Sequence, residues 1–335
     1  MSNIQVEKNR DILVIGPADS NSHLKEIVYA NSQTEVEREF GKNSELTQAY
    51  RLAKSLGAPY VFLLNIRHDY QYLDIIDTLA QNDFAYIVPT SLYLSNHYDD
   101  TIRNRRISYL EYIMEKIGYL NESVFIATDK HASLYEDLDA YLEEMNQLSE
   151  DFYSSMGTEV NPENIIFVLN NLERHKMANV ALAAALSASP IGEYPTADFG
   201  PAIFEMDAYE DIHNYAYFMN HAIRETTVEN LLNYKSSSIL KVVTISRIVK
   251  AIKRALDFSE YVGINYNAHI PMSIRKKLQA YLQGLKGDLI YDFNIIAVQP
   301  YRIEGTTTVS IETSFDVWPN NSFEKCRVDK SIEVS

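Results

Sequence analysis

Hydrophobic residues in the first half of the chain occur in short continuous runs that are typical of buried β-strands. The runs lie at Asp11–Ile15, Glu26–Ala30, Tyr60–Ile66, Phe84–Val88, Ser123–Ala127 and Ile165–Leu169. The nearly continuous run Tyr60–Ile66 indicates a strand that is covered on both faces, as in a parallel sheet. The runs therefore predict a sheet at the centre of an N-terminal domain.

Between these runs, apolar residues recur at three- and four-residue spacing, which predicts amphipathic helices. These helices are expected to end at Gly41, at Gly57, near Ala80 and at Gly118, and a fifth carries Leu134, Leu138, Tyr141, Leu142, Met145 and Leu148. Thr34 with Glu37, and Ser133 with Glu136, have the spacing of helix-capping boxes. An alanine-rich helix follows at Met177–Ala188. The alternation of strand and helix predicts a layered α/β domain with a mostly parallel sheet.

The rest of the chain has a different pattern, which predicts a second, smaller domain. Residues 196–238 have no clean period, and we expect a connector with irregular and short helical pieces. Two helices and two strands follow, at Ile239–Leu256, Ser273–Gly284, Leu289–Gln299 and Thr306–Val317. Gly305 marks the turn between the strands. The predicted organisation is an α/β domain at 1–195, the connector, and an α+β domain at 239–335, in which two helices pack against a hairpin and a terminal strand.

The segment 239–287, which begins with the first of these helices, is the basic part of an acidic chain. Residues 239–287 carry about +7, whereas the whole chain carries −16. Arg247, Lys250 and Arg254 fall opposite the apolar side of the helix, with Lys253 at its margin. The arrangement favours either a cationic surface that docks on an acidic partner or an ordinary solvated helix face.

The last residues alternate as those of a β-strand do. Cys326, Val328, Ile332 and Val334 fall on one side at a period of two, and Lys330 interrupts them. Such a strand can be added to the sheet of a neighbouring protein. The alternatives are an edge strand of its own domain and a frayed chain end.

Composition and charge argue against several classes of function. With 46% hydrophobic and 23% charged residues the chain is typical of globular proteins. A net charge of −16 argues against general nucleic-acid binding. One cysteine rules out an internal disulfide, the first residues lack the features of a signal peptide, and the longest apolar run, Val180–Leu186, is too short to cross a bilayer. We therefore expect folding in the cytoplasm and no membrane insertion.

Motifs for catalysis or cofactor binding are missing from the sequence. Gly16–Ser20, after the first strand, lacks the glycine pattern of a dinucleotide fold and the G-K-[ST] of a phosphate loop. The eight histidines repeat no metal-ligand spacing, and no G-x-S-x-G elbow is present. We expect no catalytic residue, no cofactor and no metal. A small-molecule site would lie at the carboxyl ends of the parallel strands, near Gly16–Ser20 or Pro89–Ser91.

The order of these features resembles the tail sheath proteins of contractile-tailed bacteriophages and related contractile injection systems. The similar pieces are Asp11–Ala18, Phe40–Gly41, Ala58–Leu64, Asp83–Pro89, Pro190–Gly192 with Thr196, and the C-terminal block Ser238–Val328 with its Trp318–Pro319. Each piece is short and hydrophobic, so the specificity of the resemblance lies in their order. The resemblance covers most of the chain.

This resemblance implies a virion structural protein, not an enzyme, that is assembled in the bacterial cytoplasm and located in the tail. Its copies would polymerise as a helical sleeve or stacked rings around the tail tube protein, and contract when the baseplate triggers them. Further partners would be baseplate and tail terminator proteins, with no nucleic acid. In this family, N- and C-terminal arms add strands to neighbouring C-terminal domains.

The resemblance also implies roles for individual residues. It assigns inter-subunit strands to Ile4, Val6, Cys326, Val328, Ile332 and Val334, and tube-facing positions to Arg247, Lys250, Lys253 and Arg254. The chain departs from the family in that only Ser2–Arg10 precede the first strand, and large surface insertions are absent. The expected function is a sheath subunit. The alternatives are a sheath-like ring component at the tail terminus or baseplate and, from a different class, an α/β enzyme or small-molecule-binding protein.

Overall fold

The structure is a computed structural model that describes most of the chain. It covers residues 10–66, 84–90, 123–128, 130–155, 165–191, 197–204, 219–221, 225–227, 239–256, 258–262, 264–303, 305–306, 308–320 and 326–334. The described residues belong to two compact units, 10–246 and 247–335. The division between these units falls within a helix, whereas the sequence places a connector before that helix, so the predicted three-part division stays a prediction.

Six of the described strands form the sheet of the 10–246 unit. They are β1 Asp11–Gly16, β2 Ile27–Tyr29, β3 Tyr60–Asn65, β4 Tyr86–Pro89, β5 Val124–Ala127 and β6 Ile165–Phe167, in the order β2-β3-β1-β4-β5-β6. All of them run parallel except β2, which pairs antiparallel with β3 at one edge. The predicted mostly parallel sheet is confirmed.

The strands β1, β4, β5 and β6 are buried almost throughout, as their continuous apolar runs predict. Since full burial of a valine, leucine or isoleucine side chain contributes about 1.5–3 kcal/mol, these strands contribute substantially to the stability of the unit. Strand β1 lies at its centre, hydrogen-bonded to β3 on one side and to β4 on the other. The strands that follow β1 in sequence, β2 and β3, lie on one side of it, and β4, β5 and β6 lie on the other side. The strand order therefore reverses beside β1, which is the topological switch point of the sheet.

Four described helices accompany this sheet. They are α1 Gln33–Phe40, α2 Glu45–Ser55, α3 Leu138–Ser155 and α4 Ala178–Ala188. Helices α2 and α4 pack on each other, and both contact β1. All residues of α4 from Ala178 to Ser187 are buried, because its small side chains let neighbouring main chains approach closely, as the alanine-rich sequence predicts.

Both predicted capping boxes are wrong. Ser32 caps α1 in place of Thr34, because its hydroxyl accepts a hydrogen bond from the main-chain amide three residues later. Ser133 lies in a short 3₁₀ helix, and the carboxylate of Asp137 accepts a hydrogen bond from the amide of Ala140 at the start of α3. In each case a side chain of equal capping ability lies within a few residues of the predicted one.

The connector differs in part from its prediction. Its described part includes a short antiparallel pair, β7 Met219–His221 and β8 Glu225–Thr227, where irregular and short helical pieces were expected. The helices predicted near residues 70–80 and before Gly118 lie outside the described residues.

The C-terminal part of the chain has the predicted α+β arrangement. Its elements are α5 Ile239–Ala255, a 3₁₀ helix at Ser259–Tyr261, α6 Ile270–Leu285, β9 Ile290–Arg302, β10 Val309–Pro319 and β11 Cys326–Val334. The three strands form an antiparallel sheet in the order β11-β10-β9, and α6 packs on β9. Gly305 has a φ of 78°, which the predicted turn between β9 and β10 needs and which glycine adopts without strain.

Gly16, at the end of β1, lies in close contact with Thr90, which follows β4. A Cβ at position 16 would come within 2.5 Å of Thr90 Oγ1 and 2.6 Å of Thr90 Cγ2. The threonine has little freedom to retreat, because it is β-branched and its hydroxyl donates a hydrogen bond of 2.7 Å to Glu45 Oε2.

Gly16→Ala is therefore expected to destabilise the protein by about 1–3 kcal/mol through overpacking. Gly284→Ala is the matched control, because Gly284 lies in α6 with nothing within 4 Å of the added Cβ; that change should be neutral or stabilising by up to about 1 kcal/mol. Urea unfolding measures both. Thr90→Ala should reduce the cost of Gly16→Ala in a double-mutant cycle. Equal effects at the two glycines would contradict the close contact.

Candidate assembly surfaces

The C-terminal strand β11 pairs with β10 of its own chain. The register runs from Val309 opposite Val334 to Val317 opposite Cys326, so β11 is paired along its whole length. Val328 is fully buried and Ile332 nearly so. In the single chain the tail is thus an edge strand of its own domain, one of the alternatives that the sequence left open. Ile4 and Val6, the other positions assigned to inter-subunit strands, lie outside the described residues.

Lys330 explains the break in the apolar alternation of β11. Its ammonium group donates one hydrogen bond of 2.9 Å to the carbonyl of Lys253 and another to the carbonyl of Leu256. It also lies 5.5 Å from the centre of the Phe258 ring. The carbonyls at the end of a helix have no partner within the helix and carry its negative partial charge. A lysine from β11 therefore caps the C-terminal end of α5.

Strand β9 forms the other edge of the described C-terminal sheet. It is 13 residues long, and three large side chains on it are exposed: Tyr291 by 72%, Ile296 by 42% and Tyr301 by 49%. A long edge with exposed apolar groups is a site where another strand can add.

The predicted cationic face of α5 is wrong for two of its four residues. Arg247 is 3% exposed and Lys250 is 1% exposed, whereas Lys253 and Arg254 are half-buried. Every residue from Val243 to Ile252 except Ile245 is buried, so α5 is covered on nearly all sides along this length. Periodicity identifies the more apolar side of a helix, but it does not show that the other side is free. Arg247 and Lys250 each interact with at least one other group in the structure.

Helix α6 carries the exposed basic residues. Its sequence contains no acidic residue, and Arg275 and Lys276 are exposed. Two further lysines beside them are paired: Lys277 with Glu260 at 3.0 Å and Lys286 with Asp292 at 2.8 Å. The charge total for residues 239–287 includes Arg275 and Lys276, but a total does not show which cations are exposed, so the sequence pattern missed this surface.

The inner side of α6 is apolar and firmly packed. Ile274, Leu278 and Leu282 are fully buried, and burial raises the pKa of Tyr281 to about 12, since the low-dielectric surroundings disfavour the phenolate. At the exposed end of the helix, the hydrogen bond from Lys286 lowers the pKa of Asp292. The helix thus presents a stable base for the two exposed cations on its outer side.

At the switch point of the parallel sheet, described side chains form hydrogen bonds within the protein. Thr90 donates its hydroxyl to Glu45, and Ser44 caps the start of α2 by accepting a hydrogen bond from Thr47 N. A helix start at this position binds phosphate in nucleotide-binding folds. Here it carries a carboxylate in its first turn, which would repel an anion. The described residues at this helix start therefore disfavour a bound phosphate.

The described part of the chain contains no cluster of three or more potential metal ligands. None of the helices in this part is long and apolar enough to span a membrane.

Charge reversal tests the burial of the α5 cations. Lys250→Glu is expected to destabilise the protein by about 3–5 kcal/mol, because it breaks the interactions of a buried charge and buries an opposite one. Lys276→Glu, the same change on the exposed side of α6, should change stability by less than about 0.5 kcal/mol. Thermal and urea unfolding followed by circular dichroism measure the difference. A fully stable Lys250→Glu protein would show that this side of α5 is accessible.

Comparison with known proteins gives no match in sequence and clear matches in structure. No family model matches the chain, and no curated protein is similar to it in sequence. A sheath tail protein from Desulfitobacterium hafniense has a TM-score of 0.59 at 12% identity, with 96% of both chains covered. A sheath tail protein from Listeria innocua has a TM-score of 0.60 at 12% identity, with 99% of this chain and 98% of that chain covered.

A third match comes from an assembled particle. A chain of the anti-feeding prophage baseplate in its contracted state has a TM-score of 0.52 at 13% identity, with 86% of this chain and 84% of that chain covered. The resemblance that the order of sequence features predicted is thus confirmed at the level of the fold. Over nearly its whole length, this chain has the fold of the sheath proteins of contractile tails.

Proposed function

We propose that the protein is a structural subunit of a contractile tail sheath. Its copies polymerise as a helical sleeve around a tail tube, and the sleeve contracts to drive the tube through the host envelope. The observation that carries this proposal is the extent of the structural likeness, which covers 96% and 99% of the chain in two sheath tail proteins. A likeness of this extent includes the C-terminal sheet as well as the parallel sheet.

The side chains at the switch point support a structural role over an enzymatic one. Thr90 donates a hydrogen bond there to Glu45, whose carboxylate lies in the first turn of α2 and would repel a phosphate. The sequence contains no phosphate loop and no nucleophile elbow. We therefore propose that the protein catalyses no reaction and functions through contacts with other proteins.

Strand exchange at the C-terminal sheet would link the copies. In the single chain β11 pairs with β10, and the same pairing can form with β10 of a neighbouring copy. Such an exchange preserves the hydrogen bonds and the buried side chains, so it costs little free energy apart from the ordering of the connecting residues. The exposed edge of β9 could receive the N-terminal residues Ile4 and Val6 of another copy.

Tube docking would use the cations that remain accessible. Arg275 and Lys276 are exposed on α6, and Lys253 and Arg254 are partly exposed at the end of α5. Each such contact is weak, but a sleeve repeats it in every subunit, and repeated weak contacts combine into firm attachment. The partner would be an acidic tube protein.

One comparison favours a second candidate function. The match to a chain of a contracted baseplate supports a sheath-like ring component at the baseplate. Such a subunit would assemble into a closed ring, because a repeated head-to-tail contact closes when its rotation returns to the starting point and otherwise forms a helix.

Electron microscopy of the purified protein, alone and with its tail tube, separates these functions. The sheath proposal predicts sleeves of variable length with a helical repeat. Discrete rings of constant height would favour the baseplate component. A monodisperse monomer at high concentration, with a saturable small-molecule ligand, would overturn both.

Removal of residues 323–335 tests the role of the tail. This deletion is expected to abolish polymers, because it takes away β11 and its pairing with β10. The deletion also exposes part of the apolar face of β10, so circular dichroism must first show that the truncated protein is folded. Polymers of undiminished length from the folded truncation would rule out linkage through β11.

Tube docking is tested by reversing the two exposed cations of α6. Arg275→Glu with Lys276→Glu should weaken co-sedimentation with the tube at least about tenfold and leave unfolding unchanged, and wild-type attachment should weaken as salt is raised. Arg38→Glu with Lys42→Glu is the matched control, since it reverses one exposed arginine and one exposed lysine in the other unit. Equal attachment of both double variants would show that α6 is not part of the docking surface.

A further inference from the structure

The lysine in β11 faces the interior of the C-terminal unit. Val328 and Ile332 are buried, and residues two apart in a strand lie on the same side, so Lys330 lies on the buried side between them. The opposing residues of β10 on this side are Ile311, Thr313 and Phe315, all buried. A positive charge on the apolar side of a strand costs free energy unless that charge finds a partner.

The C-terminal end of α5 supplies this partner. The ammonium group of Lys330 donates to the carbonyl oxygens of Lys253 and Leu256, and the Phe258 ring adds a cation–π contact at 5.5 Å. Phe258 is itself 3% exposed, and Lys277 lies 5.6 Å from the same ring. The carbonyl of Lys330 accepts a hydrogen bond of 2.8 Å from Thr313 Oγ1 of β10. The ammonium group and the main-chain carbonyl of Lys330 therefore both form hydrogen bonds within the C-terminal unit.

Together these groups form a receptor that recognises a strand with one inward lysine. The edge of β10 pairs with the main chain, the apolar side takes Val328 and Ile332, and the carbonyls at the end of α5 take the ammonium group. A shift of β11 by two residues would move the lysine by about 6.5–7 Å, beyond hydrogen-bonding distance of both carbonyls. The lysine therefore permits one register among those that keep the apolar side inward.

We propose that Lys330 restricts β11 to the C-terminal unit of this chain, either its own or that of a second copy, and sets the register of the pairing. On any other sheet edge the strand would place an unpartnered charge on the apolar side, and inward charges of this kind prevent unspecific edge-to-edge pairing. That the receptor may belong to a second copy rests on the strand exchange of the proposed function. The requirement for Lys330 holds in the single chain as well.

The first test measures how firmly β11 is held. In Lys330→Met the side chain keeps its length but loses its charge and donors, and the amides of residues 326–334 should exchange with deuterium at least about tenfold faster than in the wild type. Lys276→Met, the same change at an exposed position, should leave this exchange unchanged. Lys330→Arg keeps the charge and should retain most of the protection. Unchanged exchange in Lys330→Met would overturn the proposal.

The second test measures the register and separates it from the proposed function. Cys326 lies opposite Val317, at a Cα separation of about 4.5–5.5 Å for antiparallel partners, which suits a disulfide. Under mild oxidation by diamide, Val317→Cys should form a disulfide with Cys326 at the native register. Lys330→Met in the same background should slow its formation at least about tenfold, and Lys276→Met should not.

Non-reducing gels show where the disulfide forms. Bonds within one chain that depend on Lys330 support the register role while counting against strand exchange. A ladder of linked chains that depends on Lys330 supports both. Disulfides that form equally fast with Lys330→Met, within or between chains, would overturn the role of the lysine even if the ladder persists.

Discussion

The C-terminal part of this protein depends on β10, which forms hydrogen bonds to a strand on each side. Its pairing with β9 follows from a short connection within one hairpin. Its pairing with β11 closes a second antiparallel ladder through residues Val309 to Val317. A strand in this position has no free edge, and its inward side chains Ile311, Phe315 and Val317 are fully buried. Loss of β11 would expose one edge of β10 and part of this apolar surface. The tail of the chain is therefore part of the fold, and for the same reason the proposed strand exchange would link one copy to another.

Charge is distributed in this protein in a way that the total does not reveal. The chain carries −16, yet two of its cations, Arg247 and Lys250, are buried in α5. Burial of a charge is costly unless other groups compensate it, and both residues interact with other groups in the structure. Arg247 and Lys250 are therefore part of the interior, whereas Arg275 and Lys276 on α6 are exposed. The lysine at position 330 is a third case, since it is half-buried and bonded to main-chain carbonyls.

Local sequence patterns predicted the fold well where a single rule decides the structure. The continuous apolar runs placed β1, β3, β4 and β5 within two residues of their observed bounds, because a fully buried strand can tolerate few polar residues. The alternation at residues 326–334 identified β11, and Gly41 and Gly57 marked helix ends at which φ is positive. These features depend on residues that are neighbours in the sequence, so one sequence suffices to predict them.

Predictions failed where the answer depends on parts of the chain that are distant in sequence. The apolar side of α5 was correctly identified, but the burial of its opposite side depends on what surrounds the helix. The partners of Lys330 are main-chain oxygens 77 and 74 residues earlier in the chain, which carry no side-chain signature. The capping boxes failed for another reason, since Ser32 and Asp137 compete locally with the predicted caps on equal terms. Assembly surfaces are harder to predict than the core, because their prediction requires knowing which polar residues remain exposed after folding.

The most direct test of the account is a cryo-electron microscopy reconstruction of the assembled protein in which the main chain can be followed from Pro319 into β11. The proposed strand exchange predicts that the chain crosses to a neighbouring copy, where Lys330 forms hydrogen bonds to the carbonyls of Lys253 and Leu256 at the end of that copy's α5. An intact assembly in which β11 returns to β10 of its own chain in every subunit would contradict it.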